Sequence, residues 1–113
     1  MTEPPPTPVA SKVNECLFRA GSSRVDNVCK RILDDVALRL QNEPNATVML
    51  VGYADPKEGG KLSAQRAEGA AKYLGEKGIS PGRTNHRGGT GQAGAGKQNQ
   101  RVDIIWVPQG ATY

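Results

Sequence analysis

Val25-Asp26-Asn27-Val28-Cys29-Lys30-Arg31-Ile32-Leu33-Asp34-Asp35-Val36-Ala37-Leu38-Arg39-Leu40 is the stretch whose periodicity decides the fold. Val25, Val28, Cys29, Ile32, Leu33, Val36, Ala37 and Leu40 recur at helical spacing, which predicts an amphipathic helix with an unbroken apolar stripe. Lys30, Arg31, Asp34, Asp35 and Arg39 fall on the other face. Gln41-Asn42-Glu43-Pro44 ends the helix, because proline disfavours a helical conformation in the residue before it. A helix with one apolar stripe needs a surface to cover, and the flanking sequence supplies strands.

Upstream, residues 15–19 (Glu-Cys-Leu-Phe-Arg) read as a first strand, followed by a Gly-Ser-Ser break. Downstream, Thr47-Val48-Met49-Leu50-Val51-Gly52-Tyr53 is β-branched and apolar and reads as a central strand. After a loop containing Pro56, Gly59 and Gly60, Ser63 is placed to cap a second helix whose buried stripe is Ala67, Ala70, Ala71 and Leu74, with Gly78 as its stop. Residues 83–87 form a short strand candidate, a glycine-rich stretch runs from Gly88 to Gly96, and residues 101–107 form the last strand, ended by Pro108. The order strand, helix, strand, helix, strand, strand predicts an α+β fold: a four-stranded sheet with two helices on one face.

With 113 residues the chain is sized for one small domain. Pro4, Pro5, Pro6 and Pro8 make residues 1–13 a proline-rich, extended linker, expected to tether the domain (residues 14–108) to an upstream partner domain or anchor; residues 109–113 are a tail. No basic and apolar leader follows Met1, so any secretory signal is expected upstream in a longer precursor. No apolar run approaches the ~18 residues of a membrane span, and no direct membrane insertion is expected. Fifteen Lys and Arg against eleven Asp and Glu favour an anionic partner. Nucleic acid is not expected: the basic residues are scattered, and one Phe, three Tyr and one Trp offer few stacking platforms.

Gly89-Thr90-Gly91-Gln92-Ala93-Gly94 matches a dinucleotide fingerprint, and Gly91 to Lys97 most of a phosphate-binding loop. Both run into a strand where a helix N-terminus is required, and Gln98 replaces the hydroxyl that would meet magnesium; the stretch reads as a surface loop. His86 is the only histidine, which leaves neither a metal set nor a nucleophile with its base. The chain therefore reads as non-enzymatic, with no cofactor and no metal. Cys16 on the first strand and Cys29 on the inner face of the helix can meet where that helix packs over the sheet, which would imply an oxidising compartment; two buried thiols is the alternative.

The constellation with chemistry is Asp55 with Arg66. Asp55 follows the C-terminal end of the central strand and Arg66 is expected in the first turn of the next helix. A carboxylate and a guanidinium facing one cleft can hold a zwitterion, the first taking an ammonium and the second a carboxylate in two parallel hydrogen bonds. They can equally bridge each other as a surface ion pair.

Gly52-Tyr53-Ala54-Asp55, Leu62-Ser63-Ala64-Gln65-Arg66-Ala67, Tyr73-Leu74 with Lys77-Gly78-Ile79, Arg87-Gly88-Gly89-Thr90-Gly91, and Asn99-Gln100-Arg101-Val102-Asp103-Ile104 resemble, in order, the motifs of the OmpA-like peptidoglycan-binding domain family, over about Cys16 to Val107. The resemblance implies the same strand and helix order in a four-stranded mixed sheet. It also implies non-covalent binding of the diaminopimelate residue of peptidoglycan stem peptides, with Asp55 on the ligand's ammonium and Arg66 on its carboxylate. Tyr53, Ala54, Leu62 and Arg101, from the same motifs, are expected in that ligand-binding site. The implied setting is the periplasm, in association with the outer membrane. Two departures stand out: the loop 56–61 is shorter than usual and lacks the family's asparagine, and Gln100 stands where the last motif commonly has arginine. They leave open an alternative, a degenerate domain kept for protein interaction or structure.

Overall fold

The computed structural model describes residues 9–19, 21–54, 60–88 and 100–111. The elements run β1 (Ser11–Leu17), α1 (Asn27–Asn42), β2 (Thr47–Tyr53), α2 (Gly60–Glu76), a 3₁₀ turn (Pro81–Arg83), β3 (Thr84–Gly88) and β4 (Arg101–Val107). The strands form one mixed sheet in the order β1-β4-β2-β3. β4 is antiparallel to both β1 and β2, while β2 and β3 are parallel and joined by α2. The expected α+β architecture is therefore the one observed. Most of the proline-rich segment and nearly all of the glycine-rich stretch lie outside the described residues.

Alternation sorts the strands into two faces. Val48 and Leu50 of β2, Val102, Ile104 and Trp106 of β4, and Cys16 of β1 point toward the helices and form the core with Leu33, Val36, Leu40, Ala67, Ala70 and Leu74. α1 starts where Asp26 caps it, its carboxylate accepting from the Cys29 N–H at 2.8 Å. α2 stops after Glu76, where Gly78 takes a left-handed φ of 91° and the Ile79 N–H returns to the Leu74 carbonyl at 3.2 Å.

Several boundaries differ from the sequence reading. β1 covers residues 11–17 instead of 15–19, because pairing with β4 extends to Ser11, through an irregularity between Lys12 and Asn14, and Phe18 turns out of the strand into the core. The strand after the 3₁₀ turn begins at Thr84, since Arg83 belongs to the turn. Val25 precedes α1, and Val28 is 68% exposed, so the apolar stripe is narrower than its spacing suggests. Ser63 lies inside α2, and Arg66 falls in its second turn, not its first.

Arg83 was not singled out in the sequence. Its guanidinium donates to the carbonyls of Leu40 (2.6 Å), Glu43 (2.8 Å) and Ala46 (3.1 Å), satisfying acceptors where α1 ends. Across the helix seam, the Tyr73 hydroxyl donates to Asp34 at 2.8 Å, and Lys77 pairs with the same carboxylate at 3.4 Å.

Cys16 and Cys29 form a disulfide with Cα atoms 5.0 Å apart, tying β1 to α1. A loop of this size contributes about 3 kcal/mol. The Cys16→Ala/Cys29→Ala protein is expected to lose about that much unfolding free energy in a urea titration against the oxidised wild type. The bond to Asp34 raises the Tyr73 pKa above its ordinary 10.0, so this contact is fully present below pH 10.0 and fades as pH climbs through the higher value. Asp34→Asn should lower the Tyr73 ionisation midpoint, read from its ring resonances in a pH titration by NMR.

Candidate functional site

The parallel strands β2 and β3 end side by side, Gly52 opposite Gly88, and β4 begins there, with Arg101 paired to Tyr53 and to Leu17. One end of the sheet thus gathers Tyr53, Ala54, the start of β4 and the chain leaving β1. The first turns of α2 lie directly over it. A Cβ on Gly52 would overlap the Ser63 carbonyl oxygen, and one on Gly88 would sit 2.7 Å from the Ser63 hydroxyl oxygen and 3.1 Å from the Ala64 nitrogen. These two glycines are the floor on which α2 rests, so Ser63 is buried by packing instead of capping the helix.

Arg66 projects from α2 at this end and is 0% exposed. Its Nε donates to the Ser22 carbonyl (2.8 Å), one Nη to the Tyr53 carbonyl (3.0 Å) and the other to the Arg19 carbonyl (3.1 Å). Its guanidinium carbon lies 5.5 Å from the centre of the Phe18 ring. One side chain therefore joins the exit from β1, the end of β2 and α2.

Arg101 belongs to the other side of the sheet. It stacks on the Tyr53 ring, 4.2 Å from its centre, and its Nε donates to Asp103 at 2.9 Å. Lys12 of β1 adds a second cation to Asp103 at 3.2 Å and pairs with Glu15 at 3.0 Å. Burial opposes the charge on Lys12, but the hydrogen bonds to Glu15 and Asp103 outweigh it and hold its pKa above the ordinary 10.5. Among the expected site residues, the structure thus joins Tyr53 to both arginines, through its carbonyl to Arg66 and through its ring to Arg101, on opposite faces. Ala54 is buried at the strand end and Leu62 half-buried on α2. Asp55 lies outside the described residues.

A mixed sheet covered by two helices on one face, with Tyr53, Arg66 and Arg101 gathered at one end of its strands, defines a small α+β domain. The chain belongs to the OmpA family, whose model matches residues 17–103. None of the curated proteins matches it.

Solved structures share the fold. The OmpA-like domain of FopA1 from Francisella tularensis subsp. tularensis SCHU S4 superposes with a TM-score of 0.73 at 20% identity, covering 83% of this chain and 71% of that one. The peptidoglycan-associated lipoprotein from Burkholderia pseudomallei gives 0.70 at 20% identity, covering 81% and 88%. The C-terminal domain of Helicobacter pylori MotB gives 0.74 at 18% identity, covering 86% and 87%.

Gly52→Ala forces α2 off the sheet and is expected to cost about 3 kcal/mol or more, while Gly75→Ala, with open space around it, should be neutral or slightly stabilising. Chemical denaturation of the two variants checks the contrast.

Proposed function

We propose that this domain is a non-enzymatic wall-binding module that holds peptidoglycan through the diaminopimelate residue of its stem peptide. Asp55 accepts the ligand's ammonium and Arg66 attracts its carboxylate. The observation that carries the reading is the placement of Arg66: its guanidinium donates to the carbonyl of Tyr53, two residues before Asp55, inside the motifs that mark the family. Membership of the OmpA family supports it, as does likeness in fold to a peptidoglycan-associated lipoprotein.

The partner is peptidoglycan and not nucleic acid. The setting is the periplasm, consistent with the disulfide and with the periplasmic MotB domains of the same fold. Attachment to the outer membrane through an upstream segment or anchor completes the proposal. Among the described residues no helix is long and apolar enough to cross a membrane.

A second reading, a domain kept for protein interaction or structure, is favoured by one observation. Arg66 is fully buried, and at least three of its hydrogen bonds hold the fold together. Arg66→Ala would orphan three carbonyls and destabilise the domain by several kcal/mol, so it is a poor probe of binding.

Asp55→Asn is the better probe, titrated by calorimetry with diaminopimelate and with a muropeptide. Wild type should bind both, and the variant at least about 10-fold more weakly, as expected for loss of a charge-assisted contact. Equal binding by the two proteins removes Asp55 from the site. Failure of wild type to bind either ligand favours the second reading.

A further inference from the structure

Beside the Arg66 cradle lies a groove of about 370 Å³, between the chain leaving β1 and the first turn of α1, lined by Arg19, Ser22, Arg24, Asp26, Asn27 and Lys30. It sets three cations against one carboxylate, and that carboxylate is committed to capping α1 through the Cys29 N–H. Arg19, Arg24 and Lys30 are exposed, and no side-chain ion pair or hydrogen bond engages any of them among the described residues. Unlike Lys12, Arg39 and Lys77, whose charges face nearby carboxylates, these three face solvent together.

The groove is joined to the site already described. Ser22 lines it while giving its carbonyl to Arg66, and Arg19 lines it while giving its carbonyl to the same guanidinium. Two further bonds brace the loop: the Ser22 N–H donates to the Arg19 carbonyl at 3.1 Å, and the Arg24 N–H donates to the Ser22 hydroxyl at 3.1 Å. Arg19 and Arg24 therefore flank the Ser22 carbonyl that Arg66 holds, and Lys30 is on the first turn of α1. Because Arg19 and Ser22 belong to both, the groove adjoins the place where Arg66 is held.

We propose that this groove is an anion subsite for a second carboxylate of the same ligand, carried by the residue next to diaminopimelate in the stem peptide. The inference rests on the peptidoglycan reading and deepens it. The groove would distinguish an acidic stem peptide from one whose neighbouring carboxylate is amidated, since an amide keeps the shape and loses the charge. Attraction between exposed charges is modest and salt-sensitive, so the subsite tunes selectivity more than it anchors the ligand.

The test compares three probes by calorimetry at low and high salt: free diaminopimelate, the tripeptide alanyl-γ-glutamyl-diaminopimelate, and the same tripeptide with its glutamyl α-carboxylate amidated. Wild type should bind the acidic tripeptide roughly 3- to 10-fold more tightly than the amidated one at low salt, the range expected of one or two exposed ion pairs. Added salt should narrow the gap. Arg24→Gln/Lys30→Gln should abolish that preference and leave the affinity for free diaminopimelate unchanged. Equal binding of the two tripeptides by wild type, or a preference that survives in the double variant, overturns the subsite while leaving the diaminopimelate contact standing. Failure of wild type to bind any of the three overturns the peptidoglycan reading itself, and the subsite with it.

Discussion

The domain is organised around a buried guanidinium. Arg66 takes a full positive charge out of water, which is tolerable only when polar partners surround it. The carbonyls of Arg19, Ser22 and Tyr53 are such partners, and none of them is available unless the chain after β1, the end of β2 and α2 are all in place. The requirement runs in both directions: the loop cannot wander without exposing a cation to an apolar interior, and α2 cannot rotate without abandoning three carbonyls. Arg83 repeats the device at the other end of α1, binding the carbonyls of Leu40, Glu43 and Ala46. In a chain with five aromatic side chains and a small core, two arginines bound to main chain provide order that bulk hydrophobic packing does not.

This arrangement also separates two kinds of charge. On the sheet face away from the helices, Lys12, Glu15, Arg101 and Asp103 are neutralised by one another, and Tyr53 is covered by Arg101. Around the exit from β1, among the described residues, Arg19, Arg24 and Lys30 share only the Asp26 carboxylate, which caps α1. Arg19, Arg24 and Lys30 thus make a local cationic patch near the exit from β1, while the ion pairs on the sheet face contribute little to the field an approaching anion meets.

Where local chemistry and tertiary structure agree, the sequence was readable. β2 and β4 occupy the predicted residues because a run of β-branched and apolar side chains buried on both faces has one stable use. The core face of α1 follows from its spacing. Edges fared worse: β1 alternates weakly, and its limits are set by β4, to which it pairs. Ser63 has the right chemistry for a cap but is enclosed by Gly52 and Gly88, a consequence of close approach that no local pattern announces. At the candidate site, motif order marked Arg66, Tyr53 and Arg101. Which face each arginine occupies depends on strand alternation and helix phase together, and the basic groove combines residues from a loop and a helix that spacing alone does not bring together.

The Cys16–Cys29 bond has a mechanical side. Among the described strands β1 lies at the edge of the sheet, paired with β4. Tension pulling β1 away from β4 from its N-terminal side would strain the pairs of residues 11–15 first. At Cys16 the detachment meets a covalent bond, and the force passes into α1 without having to break the remaining pairs of β1. The loop whose carbonyls hold Arg66 lies beyond that point in the chain, shielded from the pull. A strand paired on one side is thus tied by a covalent bond at Cys16 to α1, ahead of the loop whose carbonyls hold Arg66.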